Sequence, residues 1–423
     1  MKISEIKSKL MQGEFDKTLE MICCSDVIQG EKKRYEKLLD QALEKFSDCD
    51  AHLICAPGRT EIGGNHTDHQ QGRVLAASVN MDIAAVVVMS EKTCEYYAEG
   101  FEVNPIRVDE LEIREDEKFT SEALIRGTLA RFKELGYQIG GFKAVSHSHV
   151  LKGSGISSSA AFEVLIGTIL SNLYNNGEIN SIEIAKIGQY AENNYFMKPC
   201  GLLDQMACSV GGFVFIDFKD KANPVVEQVQ FDFAHSDYAI CLIDTKGSHA
   251  DLSDEYSLMP KEMKDVAKAL GKEVLSQCTK EEFLKNIFRL REVVSDRAVL
   301  RAFHFFEETD RVLNQVKALK ENDMPTFKKL IIESGNSSYM YLQNVYSPKD
   351  VEKQALSVAL AVSDEILHHQ GAYRVHGGGL AGTIQAFVPK EKLESYRQQM
   401  ELIYGAGSCF VLSIRPVGGY KII

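Results

Sequence analysis

The pattern of apolar and polar positions divides the chain into a helical start, a run of short strands and helices, and a mainly helical second half. Through the first 48 residues, apolar side chains recur at roughly helical spacing between charged ones. Gly13 and Gly30 interrupt this pattern. Runs rich in apolar and β-branched residues then predict strands at 51–56, 74–79 and 83–89.

Helical and strand patterns alternate in the middle of the chain and change near residue 235. The spacing predicts, in order, a helix over 119–136, a strand over 142–150, helices over 162–173 and 181–195, and strands over 211–217 and 238–244. Long helical stretches then dominate from about 258 to 370, and strands return over 373–423. Without repeats or low-complexity linkers, we expect two closely packed halves with a cleft between them.

Composition and charge limit the classes of protein to consider. The 423 residues are 44% hydrophobic and 26% charged, which is ordinary for a globular protein. No apolar run is long enough for a membrane helix, and the start lacks the apolar segment of a signal peptide. The formal charge of −12 disfavours nucleic acid and anionic lipid as partners. We therefore expect a cytoplasmic protein that binds anions only in a local site.

Cysteine and histidine positions give little sign of a structural metal site. The ten cysteines are scattered without a C-x-x-C pair, which favours free thiols in a reducing compartment. His147 and His149 lie on one face of a predicted strand and can in principle ligate a metal. Because no third ligand is evident, we interpret them as ordinary surface or sheet histidines.

A glycine and serine segment, GSGISSSAA at 153–161, lies between a predicted strand and a predicted helix. Glycines let the backbone approach a ligand, and the helix start offers unpaired N–H groups and the positive end of its dipole. Its hydroxyls can donate to phosphate oxygens or bind Mg²⁺. The segment is not a Walker A loop, and a serine-rich N-cap is the alternative interpretation.

A second unusual segment, APGRTEIGGNHTDH at 56–69, follows the first predicted strand. It concentrates glycines with Arg59, His66 and Asp68 in what the pattern indicates is a turn-rich loop. Carboxylate acceptors and imidazole donors suit the vicinal hydroxyls of a sugar. A surface turn is the alternative, although so many functional side chains between two strands favour a ligand site.

Four segments in this order resemble the motifs of the GHMP family of small-molecule kinases, and within it those of the galactokinase family. They are residues 57–72, 153–161, 199–205 and 374–383. The resemblance extends from about residue 50 to the end. It implies a two-domain α/β (α+β) kinase, with a ribosomal-protein-like N-terminal domain at 49–235 and a ferredoxin-like C-terminal domain at 236–423. The active site would lie between them. Residues 1–48 lie outside the resemblance, and their helical pattern predicts an extension that covers the first domain, with a role in oligomerisation as the alternative.

The resemblance also implies ATP and Mg²⁺ as cofactors and a role for each matching residue. Asp204 would accept the proton of a sugar's anomeric hydroxyl, and Arg59 would stabilise the transferred phosphoryl group and keep Asp204 ionised. Ser159 and Glu192 would hold Mg²⁺. The residues implied for phosphate binding are Gly153, Ser154, Gly155, Ser157, Ser158 and Ser159, and those implied for the sugar are Asn65, His66, Asp68, Gly201 and Tyr256. For Asp204, a helix N-cap is the alternative role.

The match departs from the family in two motifs. Where the galactokinase family has Gly-Glu-His-x-Asp-Tyr, this chain has Asn65 for the glutamate and His69 for the tyrosine. In the segment at 374–383, which is similar to the third motif of the family, Leu380 and Ala381 replace the usual residues. In the family the glutamate lies near the sugar's C6 hydroxyl, so an amide there suggests a C6-modified hexose such as galacturonate as an alternative to galactose. Glu61 is a second possible source of the missing carboxylate.

Two further alternatives stay open at this point. One is a related kinase for an amino sugar, arabinose or a non-sugar alcohol. The other is a catalytically inactive sugar sensor, which we disfavour because the phosphate segment, Arg59, Glu192 and Asp204 are all present. We expect a monomer, with a dimer as the alternative.

Overall fold

The fold was obtained as a computed structural model that describes residues 1–23, 28–150, 155–220, 222–247 and 252–423. Its helices are α1 (Ile3–Gln12), α2 (Asp16–Cys23), α3 (Ile28–Phe46), α4 (Ser121–Glu134), α5 (Ser158–Tyr174), α6 (Ser181–Asn194), α7 (Leu203–Val210), α8 (Ser253–Ala269), α9 (Lys280–Val293), α10 (Asp296–Lys320), α11 (Met324–Ser337), α12 (Ala355–Leu367) and α13 (Leu393–Tyr404). A π-helical turn, Ser338–Leu342, follows α11.

The strands alternate with these helices along the chain. They are β1 (His52–Gly63), β2 (Arg73–Ser90), β3 (Thr93–Ala98), β4 (Phe101–Glu102), β5 (Ile106–Arg107), β6 (Gly141–Ser148), β7 (Phe213–Asp217), β8 (Val225–Val229), β9 (Tyr238–Asp244), β10 (Ala372–Val375), β11 (Thr383–Pro389), β12 (Cys409–Leu412) and β13 (Tyr420–Lys421). Two compact units result. The first comprises Met1–Arg59, Ala77–Gly212 and Ile414–Ile423, and the second comprises Thr60–Ala76 and Phe213–Ser413.

The first unit contains a mixed sheet with the strand order β13-β1-β2-β6-β3-β4. β2 pairs antiparallel with β6, whereas β3 pairs parallel with β6. Helices α1 to α3 bury their apolar stripes, including Leu10 and Leu39, in one core with Leu53 and Val86 of the sheet. Their amphipathic pattern is thereby explained, because each helix needs a surface against which its apolar side is buried.

Helix α5 is the central helix of the first unit. Every residue from 160 to 171 is buried, which explains why this helix is apolar almost all round. Helices α4, α6 and α7 pack with it as a group. The first turn of α5 carries Ser158 and Ser159, which are predicted to bind phosphate, and the first turn of α7 carries Asp204, the predicted base.

The second unit contains a four-stranded antiparallel sheet with the order β10-β11-β9-β12. Its strands and α12 and α13 contribute to one apolar core. A second core joins residues of α8, α9 and α10. The long helix α10 also packs along α11, and this places buried polar side chains between the two helices.

Two strands are longer than the sequence pattern predicts. β1 continues into the first part of the segment expected to be a turn-rich loop and ends at Gly63. β2 runs unbroken from Arg73 to Ser90, across a predicted break at 80–82. Asp82 is buried in this strand because Arg34 and Arg415 both lie within 2.9 Å of its carboxylate. Asp82 is thus an internal ion-pair partner within the strand.

Within the described ranges, none of the helices combines the length and apolar character that a bilayer crossing requires.

Candidate active site

Arg59, on β1, and Asp204, on the first turn of α7, form a two-point ion pair. Arg59 Nε lies 2.7 Å from one Asp204 carboxylate oxygen, and Nη2 lies 2.8 Å from the other. Arg59 Nη1 also donates to the carbonyl of Gly155 at 2.6 Å. The backbone is close-packed here, since a Cβ on Gly58 would lie 2.7 Å from the carbonyl oxygen of Ile156. A fork-shaped guanidinium held in this way fixes the orientation of the carboxylate.

The Asp204 carboxylate is ionised yet still accessible. Burial alone would raise its pKa, but Arg59 and a hydrogen bond from the Ser157 hydroxyl outweigh burial, and the pKa lies below the usual range. The side chain is 36% exposed, so one edge of the carboxylate remains open to a ligand. The arrangement suits a base that must hold and orient a hydroxyl.

The serine segment leads into α5 through two residues with positive φ. Gly155 has φ 78° and Ser157 has φ 59°, and α5 begins at the next residue, Ser158. This turn directs the backbone so that the first turn of a 17-residue helix starts beside Arg59 and Asp204. Its unsatisfied N–H groups and dipole are suited to phosphate. Gly153 and Ser154, also assigned to phosphate binding, lie outside the described residues.

A second polar cluster in the first unit surrounds Glu192 of α6. Glu192 is buried, and one of its oxygens accepts from Ser159 at 2.9 Å and pairs with Lys198 at 3.1 Å. Its other oxygen accepts from Gln205 Nε2 at 2.8 Å, and that same amide nitrogen donates to Glu163 at 3.0 Å. Burial, and then the nearby Glu192 charge, raise the pKa of Glu163.

Ser159 and Glu192 provide a donor set that fits Mg²⁺. One hydroxyl and one carboxylate oxygen within hydrogen-bond distance match an ion that takes one or two protein oxygens and completes its shell with phosphate and water. No group of three or more histidine, cysteine or acidic side chains in the described ranges forms a metal cluster.

The segment at 64–68 in the second unit forms a tight loop between β1 and β2. Gly64 has φ 87°, and a Cβ there would lie 2.4 Å from the Arg73 carbonyl oxygen, so only glycine fits. The Thr67 hydroxyl donates to the carbonyl oxygens of both Gly64 and Arg73, at 2.9 and 2.7 Å. The loop is consequently rigid at its base.

The side chain of Asn65 is buried and fully engaged. It is 1% exposed, and its two amide hydrogens go to Glu61 at 2.9 Å and to the Gly377 carbonyl at 2.6 Å. Its oxygen accepts from Asn344 at 2.8 Å. Glu61 also pairs with the buried Arg374 at 2.9 Å. Asn65 thus links β1 to the glycines of the third motif.

His66 and Asp68 project from the same loop. His66 Nε2 donates to the Gly378 carbonyl at 3.1 Å, which leaves Nδ1 as a buried acceptor without a partner among the described residues. Burial, and then His69, lower the pKa of His66 to about 4, so the ring is neutral. Asp68 lies 3.7 Å from His69. A neutral imidazole acceptor beside a carboxylate suits sugar hydroxyls.

The remaining residues assigned to the sugar occupy different units. In the second unit, Tyr256 of α8 donates its hydroxyl to the Gly379 carbonyl, and its ring packs so closely that a Cβ on Gly378 would lie 2.7 Å from it. Burial raises the pKa of Tyr256. Gly201 lies in the first unit, two residues before α7 begins.

The structure adds residues that the sequence did not identify. Lys198, Gln205 and Glu163 contact or neighbour Glu192, and Asn344 and Arg374 support Asn65 and Glu61. Gln205 directly follows Asp204, and Arg374 is the first residue of the segment at 374–383. Their positions in these motifs could therefore have indicated that both residues support the site. Asn344 offered no such signal.

The histidine pair at the end of β6, His147 and His149, has a structural environment. Arg34 donates from Nε to Nδ1 of His147 at 3.1 Å, so that nitrogen is occupied. The rings of His147 and His149 stand 5.2 Å apart, edge to face. Burial and Arg34 lower the pKa of both residues. This supports the interpretation of ordinary sheet histidines.

Two family models match the chain. One, described as the GHMP kinases N terminal domain, matches residues 123–212, and the other, the galactokinase galactose-binding signature, matches residues 43–88. A galactokinase of Thermotoga maritima is 32% identical over 361 residues, covering 83% of this chain and 96% of that protein. A galactokinase of Clostridium beijerinckii is 29% identical over 374 residues, covering 83% of this chain and 89% of that protein.

Solved structures show the same fold. The galactokinase of Lactococcus lactis complexed with galactose has a TM-score of 0.78 at 23% identity, and the match covers 92% of this chain and all of that one. The mevalonate kinase of L. major in complex with R-mevalonate has a TM-score of 0.57 at 12% identity, with 88% of this chain and 97% of that one covered.

Proposed function

This chain belongs to the galactokinase family of GHMP kinases and is an ATP-dependent sugar kinase, and we propose that its sugar is galactose, phosphorylated at the C1 hydroxyl. The products would be galactose 1-phosphate and ADP. The observation that carries the chemical part of this proposal is the two-point pairing of Arg59 with Asp204 beside the start of α5.

Asp204 would act as the base. Its ionised, partly exposed carboxylate would accept the proton of the C1 hydroxyl while the hydroxyl oxygen bonds to the γ-phosphorus and the bond to the β-phosphate oxygen breaks. Arg59 would keep the carboxylate ionised and lie next to the transferred group, where it offsets developing charge. Phosphoryl transfer depends mainly on such alignment and charge neutralisation, so a weak base suffices.

The phosphates of ATP would lie at the start of α5, on Gly155, Ser157, Ser158 and Ser159 and on Gly153 and Ser154 of the same motif. Ser159 and Glu192 would hold Mg²⁺, which when bound offsets the charge of the β and γ oxygens. Lys198, paired with Glu192, would add a positive charge near the same oxygens. A protein with a formal charge of −12 needs such local cations to hold a nucleotide.

His66, Asp68, Gly201 and Tyr256 would bind the sugar. The unpaired Nδ1 of His66 is the clearest support, because a buried acceptor gains a partner when a sugar hydroxyl donates to it. Galacturonate was an alternative because Asn65 could donate to a C6 carboxylate. Both amide hydrogens of Asn65 already donate to other groups, so donation to a C6 carboxylate would require breaking one of these hydrogen bonds. Galactose is therefore favoured. We propose that Asn65 contributes to sugar recognition indirectly, through its hydrogen bonds to Glu61 and to the Gly377 carbonyl.

The wider assignments are also proposals. We propose kinase domains at 49–235 and 236–423 after the helical residues 1–48, a monomer in solution and a place in the cytoplasm. The packing of α1 to α3 into the core of the first unit supports a covering role for the N-terminal helices.

The test is ADP release from the purified protein with ATP and Mg²⁺, over galactose, galacturonate, N-acetylgalactosamine, glucose and arabinose. Asp204→Asn is measured alongside, with Asp217→Asn as the matched control, because Asp217 also pairs with an arginine, Arg73, at 2.8 Å. We expect turnover with galactose that Asp204→Asn loses and Asp217→Asn keeps. A better rate with galacturonate would contradict the proposed substrate.

An inactive sensor predicts a different result. No sugar would give turnover, while one of them would still raise the melting temperature of the wild-type protein. These two observations together would contradict the proposed function and support an inactive sugar sensor.

A further inference from the structure

Two buried polar side chains on α10 contact the main chain of the loop at 64–68. Glu308 accepts from the Gly64 amide N–H at 3.0 Å, and His304 donates from Nε2 to the carbonyl of Asn65 at 2.8 Å. The two residues are one helical turn apart and therefore lie on the same face of α10. Neither side chain has any exposed surface, so neither can contact a substrate directly.

Each of these side chains is itself held in place. The Ser337 hydroxyl lies 2.9 Å from His304 Nδ1, and because Nε2 donates to a carbonyl, Nδ1 must accept from this hydroxyl. Glu308 accepts from the Ser334 hydroxyl at 2.5 Å and pairs with Arg311. Both serines come from α11, so the packing of α10 on α11 fixes both groups that contact the loop.

We propose that His304 and Glu308 are positioning residues for sugar binding, which hold the main chain of residues 64 and 65 so that His66 and Asp68 keep their orientation. This inference rests on the proposed function, since it takes His66 and Asp68 as sugar ligands. Neither α10 residue belongs to a motif assigned to sugar, phosphate or metal, and no step of the reaction passes through them.

The physical reason is that these two contacts act on the main chain directly before His66. Gly64 must remain glycine, so its φ is not restricted by a side chain, and the Thr67 hydroxyl and the Asn65 side chain hold other parts of the loop. A buried, ionised acceptor and a buried donor add two strong and directional contacts one residue apart. A displacement of about 1 Å in such a loop is enough to cost catalytic efficiency a factor on the order of 100.

The experiment compares KM for galactose, KM for ATP and kcat in wild type, His304→Ala, Glu308→Ala and Glu308→Gln. Glu308→Gln keeps an oxygen that can accept from Gly64, so it is the conservative rescue. Val312→Ala is the control, because Val312 is also buried on α10 and its truncation removes apolar packing only. Ser337→Ala is a milder variant, since it removes the hydroxyl that orients His304 and leaves the loop contact intact.

We expect both alanine variants to raise the galactose KM by about 10-fold or more, with the ATP KM changed less than about twofold. Glu308→Gln should recover most of the galactose KM, Ser337→Ala should show a smaller rise, and Val312→Ala should lower only the melting temperature. An unchanged galactose KM in both alanine variants would overturn the inference. So would equal rises in both KM values that Val312→Ala reproduces, because that pattern indicates general destabilisation.

The design separates this inference from the proposed function. A wild-type protein that turns over no galactose would overturn the function itself, and the inference with it. If the wild type is active and both alanine variants keep its galactose KM, only the positioning role is overturned. If the alanine variants do not fold, Ser337→Ala decides: a raised galactose KM with an unchanged ATP KM supports the inference, and an unchanged galactose KM overturns it.

Discussion

Arg59 and Asp204 are 145 positions apart in sequence, yet the guanidinium of one faces both carboxylate oxygens of the other at 2.7 and 2.8 Å. The pair joins the sheet of the first unit to the start of α7, and it lies beside the start of α5 through the contact of Arg59 with Gly155. The chemistry proposed for this protein depends on this geometry, because it orients the carboxylate and keeps it charged.

Arg59→Lys tests the two-point geometry while keeping the charge. A lysine has a compact ammonium and cannot face both oxygens in the same plane, so we expect kcat to fall by a factor on the order of 100. Steady-state kinetics with galactose and ATP measure this. Arg73→Lys is the control, since Arg73 also pairs with an aspartate, and it should keep kcat within about twofold of wild type. Similar kcat values for the two variants would argue against a special role for the Arg59 fork.

Ser157→Ala tests the cause of the low Asp204 pKa. The reaction needs the carboxylate ionised, so kcat falls when the pH drops through the pKa of Asp204. Because Ser157 donates to the carboxylate, its removal should raise that pKa and move the acid limb of the kcat profile to higher pH. The measurement is kcat against pH at saturating substrates. An acid limb that stays in place or moves to lower pH would contradict this account.

In the first unit, the residues proposed for catalysis and metal binding could be predicted from the sequence, whereas the residues that contact and support them could not. Arg59, Asp204, Ser159 and Glu192 lie in or near recognisable segments, and the structure brings them together in two pairs. The contacts of Glu163 and Gln205 depend on how α5, α6 and α7 pack. Such packing is set by tertiary contacts and leaves no local pattern.

In the second unit, the sequence pattern predicts a loop for residues that in the structure belong to the end of strand β1. The segment after residue 56 has many glycines and polar residues, which are typical of a loop. In the structure, β1 continues to Gly63, because Arg374 and Asn65 satisfy the buried Glu61 carboxylate inside the fold. The sequence analysis assigned no role to His304 or Glu308, since isolated polar residues in an amphipathic helix usually indicate its solvent-facing side.

Glu192→Gln tests the proposed Mg²⁺ site. Loss of the carboxylate charge should weaken metal binding, so the Mg²⁺ concentration for half-maximal rate at saturating ATP should rise by about 10-fold or more. A Mg²⁺ titration of the initial rate measures this directly. Glu183→Gln, on the first turn of the same helix, is the control and should titrate as wild type does. An unchanged Mg²⁺ requirement in Glu192→Gln would remove this residue from the site.

Asn65→Glu tests the internal role of Asn65. The new carboxylate would replace an amide that lies 2.9 Å from Glu61, so two buried negative charges would repel each other. We expect a clear loss of stability, on the order of 3 kcal/mol, read as a lower melting temperature. The double variant Glu61→Gln with Asn65→Glu restores one carboxylate and one amide and should recover part of the loss. Equal stability of Asn65→Glu and wild type would contradict the observed network.

The most direct test of the central claim is the identity of the product. Phosphorus NMR of the reaction with galactose should show a phosphate ester whose phosphorus couples to the anomeric proton, formed by wild type and absent with Asp204→Asn. That result is the one the account predicts. A product esterified at C6, or only free phosphate from ATP, would contradict it.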